Sequence, residues 1–127
     1  MYDFKDLTIL IFARIDNEER GKNLKAITDF YRKACTNVKF VISEEDSEMR
    51  VPGIIDLTEN DVYNFTLSND QWNKCEGYNK EIKLAKTNIL DFNDVDVIIH
   101  PEQILMTADK LQQDYNSGLM YPYNGLF

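Results

Sequence analysis

Histidine and cysteine are scarce in this chain. One His and two Cys, Cys35 and Cys75, with no CxxC pair, cannot complete a zinc set. The two thiols read as reduced, which points to a cytoplasmic protein. Basic residues are also short: 14 against 22 acids, a net charge of -8. That deficit argues against affinity for nucleic-acid phosphates and against docking on an anionic membrane. No segment approaches the roughly 18 apolar residues of a membrane span. The opening MYDFKDLTILIFARID lacks a basic flank and a small-residue cleavage site, so it reads as a strand and not as a signal peptide. There are no repeats, no low-complexity tracts and no internal linker.

What is present suffices for one domain with a modest core: 127 residues, 43% of them hydrophobic. An acidic protein can still hold a phosphate ligand if a metal bridges the charges.

Leu7 to Ala13 is short, β-branched and continuously apolar, the pattern of a strand buried on both faces of a parallel sheet. Asp16 with Glu19 forms an acidic variant of the capping box. Leu24, Ile27, Tyr31 and Ala34 then recur at helical spacing. Val38 to Ile42 predicts a second strand, ending in the acidic run 43–46, and a right-handed parallel crossover joins the two strands. Residues 44–52 read as a charged loop, 53–57 as a short third strand, and 58–69 as irregular. A second helix runs from Asn69 or Asp70 to Lys86, with Cys75, Tyr78, Ile82 and Ala85 inward. Gly77 within it costs about 1 kcal/mol relative to Ala, and marks either a close backbone approach or an interruption of the helix. Thr87 to Phe92 is a fourth strand. A further apolar stretch, Val97 to Ile99, leads to a third helix opened by Pro101, with Ile104, Leu105, Ala108 and Leu111 as its stripe. Residues 116–118 end it, and 119–123 form a last strand. The alternation is β-α-β-β-α-β-α-β, an α/β fold.

In open α/β sheets ligands gather at the carboxyl ends of the strands. Three polar clusters fall there: Arg14 and Asp16, the acids 44–46, and Asp94 with Asp96. Two carboxylates one residue apart at a strand end suit a hard divalent cation, which takes oxygen ligands and leaves positions for water and phosphate. Alone, D-x-D is a weak signal for which a solvated turn is the better explanation, but its place after a buried strand and before VIIHP favours the metal reading. His100 lies four residues past Asp96. It reads as flanking or capping the third helix, with metal ligation as the alternative.

The stretch 72–104, WNKCEGYNKEIKLAKTNILDFNDVDVIIHPEQI, resembles the central part of GT-A glycosyltransferases, where a helix carrying Asn-Lys or Asn-Arg leads into a strand ending in D-x-D. FNDVDVI is similar to the D-V-D metal motif of the β-1,4-galactosyltransferases, and WNKCEGYN echoes their upstream F-N-R-x-K-L-L-N. ILIFARIDNEERGKNL resembles the first strand and helix of that superfamily, and MYPYNGLF its Y-P-Y-D/N-G-x-F segment in bacterial family-2-like members. Residues 47–68 match nothing in it.

The resemblance implies a Rossmann-like sheet and the donor-binding half of a glycosyltransferase. It implies a nucleotide-sugar, UDP-linked, held through Mn²⁺ or Mg²⁺. Asp96 would be the metal ligand, and Asp94 would contact the donor or the metal. Ala13 and Arg14 form the nucleotide turn, and Lys74 faces the diphosphate. Glu44, Glu45 and Asp46 sit where relatives read the nucleobase, with a solvated loop as the alternative. Asp16 is either a donor contact or a helix N-cap, the latter contributing about 1 kcal/mol. The departures are plain. Relatives are roughly twice as long, and their second half supplies the acceptor site and the catalytic base, for which this chain offers no residue. Asn79-Lys80-Glu81 stands for the usual Asn-Lys-Gly, and Phe12 for a common Pro. A second polypeptide or an oligomer would complete the acceptor side, and the apolar ending Leu126-Phe127 suggests such an interface. The alternative is a non-catalytic interaction module retaining a truncated GT-A fold. A nucleotidyltransferase ranks last, because FARIDNEERG lacks a Gly-rich phosphate loop.

Overall fold

The computed structural model describes residues 1–69, 73–114 and 118–122. Its centre is a four-stranded parallel sheet of β2 (Leu7–Ala13), β4 (Phe40–Asp46), β5 (Val62–Leu67) and β6 (Ile89–Phe92), in the order β5-β4-β2-β6. Three helices flank it: α1 (Glu18–Ala34), α2 (Lys74–Leu84) and α3 (Pro101–Gln113). The fold is α/β and Rossmann-like, as the alternation of elements predicts.

β2 is buried at all seven positions because both of its faces are covered. Leu7, Ile9, Ile11 and Ala13 join Leu24, Ile27 and Tyr31 of α1 and Ile104 and Ala108 of α3 in the main core. The other face of β2 carries Phe12, against which Gly77 of α2 packs. So α1 and α3 cover one face and α2 the other. The α1 and α3 stripes agree with the helical spacing in the sequence, although Ala34, Leu105 and Leu111 are only half-buried. A small parallel pair, β1 (Tyr2–Asp3) with β3 (Cys35–Thr36), sits where α1 ends. Asn37 turns the chain there at φ 57°, a conformation Asn tolerates, and its amide donates to Asp3 Oδ1 at 2.9 Å.

Several expectations are corrected. The acids 44–46 lie within a strand, not after one, because each buried carboxylate has a partner. Glu44 Oε1 accepts from the Tyr63 hydroxyl at 2.5 Å and from the backbone N–H groups of Arg50 and Val51 at 3.1 Å. Asp46 Oδ2 accepts from Arg50 Nη1 at 2.7 Å, and Arg14 lies beside Glu45. Residues 53–57 are not a strand: they run on from a 3₁₀ turn, Val51–Gly53, anchored by Glu44. The third sheet strand falls in the stretch read as irregular. Asp61 sets its start by accepting from the Phe40 N–H at 3.1 Å and from Thr58 N and Arg32 Nη2 at 2.8 and 2.5 Å.

The second helix starts at Lys74 behind an Asn73 cap, whose side chain accepts from the Glu76 N–H at 3.1 Å. It presents Gly77 and Glu81 inward, while Cys75 and Ile82 are exposed. Residues 97–99 form no strand, because Ile99 spends its N–H and C=O on the Tyr31 hydroxyl. Residues 119–122 are likewise not a strand. Asp70, Trp72, Asn116, Tyr123 and Leu126-Phe127 lie outside the described residues.

Candidate functional site

Each sheet strand ends on the same rim, and the strand order reverses there. From β2 the chain crosses to β4 on one side, whereas β6 pairs with β2 on the other. The loops after β2 and β6 therefore flank one crevice, the position where open α/β sheets take ligands.

On the β6 side, Asn93 extends the ladder by donating its N–H to Leu10 O at 2.9 Å. Its buried side-chain amide donates to Asp94 O at 2.8 Å and to Val97 O at 2.9 Å. This clamps a tight turn over Val95 and Asp96 and leaves the Asp94 and Asp96 side chains exposed. Asn93 has no place in the sequence-based site. The signal that could have found it is a lone Asn at the end of an apolar strand, where its short amide satisfies turn carbonyls.

Asp94 is paired with Lys74 Nζ from the first turn of α2, and both side chains are nearly half exposed. The Lys74 ammonium also sits 5.8 Å from the Tyr78 ring centroid. Burial holds the Tyr78 phenol well above its ordinary pKa, with the nearby Asp94 and Glu81 carboxylates adding to the shift, so it stays a neutral hydroxyl. Its oxygen lies 3.5 Å from Asn93 O.

On the β2 side the arrangement turns toward β4. Ala13 is wholly buried. Arg14 donates from Nε to Glu45 O at 2.8 Å, and its Nη2 lies 3.9 Å from Glu45 Oε1. Arg50 Nη1 donates to Ile15 O at 3.0 Å and to Asp46. Asp16 does not cap α1. Asn17 does, accepting from the Arg20 N–H at 2.8 Å, and Asp16 pairs with Arg20 at 3.2 Å. The structure thus joins Lys74 with Asp94 and Arg14 with Glu45. Glu44 and Asp46 hold the turn after β4.

His100 caps α3: its Nδ1 accepts from the Glu102 N–H at 3.2 Å, and its ring meets Tyr2 edge-on. Among the described residues no three His, Cys, Asp or Glu side chains converge so as to hold a metal ion. A cavity of about 830 Å³ runs along β6 from Asn88 to Asp94, lined on its far side by Ile99, Leu111 and residues 118–122. That is the size range of small-molecule sites. Asp91 lines it as well. Burial pushes its carboxyl up to about 6, and its buried Oδ2 accepts no hydrogen bond from the described residues. No helix among the described residues is long and apolar enough to cross a membrane.

Comparison with protein families, curated proteins and solved structures gives no match.

Proposed function

We propose that the crevice between β2 and β6 binds a nucleoside diphosphate sugar, UDP-linked, together with Mn²⁺ or Mg²⁺, as the donor side of a glycosyl transfer. The observation that carries this reading is the strand order: β6 beside β2 brings the Lys74–Asp94 pair and the Arg14 turn to one switch point. The donor set suits the cation. Asp94 and Asp96 offer hard oxygen ligands of the kind a magnesium-type ion takes beside water and phosphate. When bound, the cation neutralises charge on the diphosphate. The chain's own residues orient it: Asn93 fixes the turn that carries both acids, and Lys74 supplies a mobile positive charge. No residue of this chain is assigned as catalytic base. A cytoplasmic setting fits the free thiols of Cys35 and Cys75.

Titration calorimetry with UDP tests this. Binding is expected only with Mn²⁺ present, and Asp96→Ala is expected to weaken it by about tenfold, in the range of losing one charge-assisted ligand. No UDP heat with Mn²⁺, or full binding by Asp96→Ala, rejects the reading.

A specific observation favours a second reading, a non-catalytic interaction module. Glu44, Asp46 and Arg14, three of the expected ligand contacts, are bonded within the chain. On that reading calorimetry gives nothing, and light scattering shows a dimer or a complex with a second polypeptide.

A further inference from the structure

The cavity of about 830 Å³ along β6 has walls that carry charge of one sign. Its described lining includes three acids, Asp91, Asp94 and Asp114, and no Lys, Arg or His. Asp94 is paired with Lys74. Asp91 differs, because its Oδ2 is buried and accepts no hydrogen bond from the described residues. In register Asp91 lies beside Ile9 of β2, which places it on the sheet face that α1 and α3 cover. The polar groups around it are committed elsewhere. Burial pushes the Tyr31 phenol up to about 12, and the Asp91 carboxylate is near enough to add to that rise. Yet the Tyr31 hydroxyl is spent on the N–H and C=O of Ile99. The Asn93 amide is spent on Asp94 O and Val97 O. The sequence offers no basic residue after Lys110.

A carboxylate shut away from water is costly unless a hydrogen-bonded countercharge comes with it. Burial raises the Asp91 carboxyl only to about 6, so near neutral pH most of it is ionised and lacks a donor. The wall around it is largely apolar, with Ile89, Val97, Ile99 and Leu111. We propose that this cavity is a binding site for a small amphipathic organic amine, its protonated nitrogen on Asp91 and its hydrocarbon part against Ile89, Val97, Ile99 and Leu111. Other ligand classes fit worse. An anion would meet three carboxylates. A metal ion needs several converging ligands, and no such group exists among the described residues. A neutral alcohol can donate to Asp91 but leaves its charge unbalanced. An ammonium does both, and a hydrogen bond between two charged groups is roughly twice as strong as a neutral one. Amine binding here requires neither a nucleotide nor a metal, so it stands apart from the donor-site reading.

Three probes that share one ring and differ in the end group test this: phenethylamine, phenethyl alcohol and phenylacetate. Each is titrated into the full chain at pH 7 and followed by ¹H–¹⁵N correlation spectra. The amine is expected to move amides within 89–93 and 111–113. It is expected to bind about tenfold more tightly than the alcohol, the range of a hydrogen bond to a charged group. Phenylacetate is expected not to bind. Asp91→Asn keeps the side-chain shape and removes the charge. It is expected to bring the amine down to the affinity of the alcohol, while the alcohol binds as in wild type. Equal affinity for amine and alcohol in the wild-type chain overturns the assignment, and this comparison needs no variant to fold. So does an Asp91→Asn chain that keeps the preference for the amine, or amine shifts scattered over the acidic surface, or no amine binding at all. A chain that takes the amine but not UDP loses the donor-site reading and keeps this one.

Discussion

Glu81 lies wholly inside the molecule, between α2 and β4. Its Oε1 accepts from the Ser43 N–H at 2.9 Å, while Oε2 and the neighbouring Ser43 Oγ have no hydrogen-bond partner among the described residues. Burial pushes its carboxyl up to about 9, against the Ser43 hydrogen bond, which pulls the other way. At neutral pH the folded chain thus keeps a proton that the unfolded chain, ionising near 4.5, gives up. The native state binds more protons between those values, so stability falls as pH rises. The contribution is complete below about 4.5 and is lost as pH climbs through 9. Asp91 adds a fall of the same sign that ends near 6. Glu81→Gln keeps an acceptor for Ser43 and cannot ionise. Its urea midpoint is expected to hold where wild type declines between pH 6 and 9, with a gap of about 1 kcal/mol or more at pH 8, roughly one unit of pKa shift. Parallel curves would mean that Glu81 is ionised in the folded state.

At the scale of single elements, a glycine and a cap carry the tests. A Cβ on Gly77 would lie 2.5 Å from Phe12 Cε2 and 2.6 Å from Cγ. The Phe12 ring is buried. Gly77→Ala therefore sets a helix-propensity gain of about 1 kcal/mol against overpacking of about 1–3 kcal/mol, and net destabilisation is expected by chemical denaturation. An increase in stability would show that α2 can lift off the sheet. For α1, Asn17→Ala is expected to cost about 1 kcal/mol, and Asp16→Ala under about 0.5 kcal/mol, because Asp16 makes only an exposed pair with Arg20. Equal costs would return the cap to Asp16. These same elements show what could be read in advance. Leu7–Ala13 was legible to the residue, since a short, wholly apolar run has few other places to go. The stripes of α1 and α3 and the flanking role of His100 were legible as well. The reading failed where polar side chains go inward. Glu44 and Glu81 are buried because backbone N–H groups meet them, a match that no local pattern encodes. On α2, Cys75 and Ile82 of the expected face are exposed while Tyr78 and Ala85 are partly buried, because Gly77 and Glu81 take the inward positions. β5 escaped notice because its start depends on Asp61 reaching Phe40 and Arg32, contacts 21 and 29 residues away.

For the molecule as a whole, the decisive quantity is which loops share the switch point. At the β6 end Lys74 and Asp94, both expected at one site, form an ion pair. The acids of β4 were assigned to that site on the strength of falling at a strand end, yet two of them are spent on Arg50 and on the turn after β4. The rim accordingly divides. One part, around Asn93, Asp94, Asp96 and Lys74, has exposed charge and a neighbouring cavity. The other, around Glu44, Asp46 and Arg50, is a closed network that fixes backbone. A ligand in the first part shifts the electronic surroundings of nearby amides and leaves the second almost unchanged, because buried, fully bonded groups have no second arrangement to adopt. In an ¹H–¹⁵N correlation spectrum, addition of UDP with Mg²⁺, the diamagnetic choice, is expected to move amides within 14–17, 73–77 and 93–97. Amides of 44–51 are expected to stay within line width. Shifts concentrated on 44–51 would relocate the site to the β4 end of the rim and assign Glu44 and Asp46 a ligand role after all. Shifts on neither set would leave the β2–β6 crevice without a nucleotide to hold.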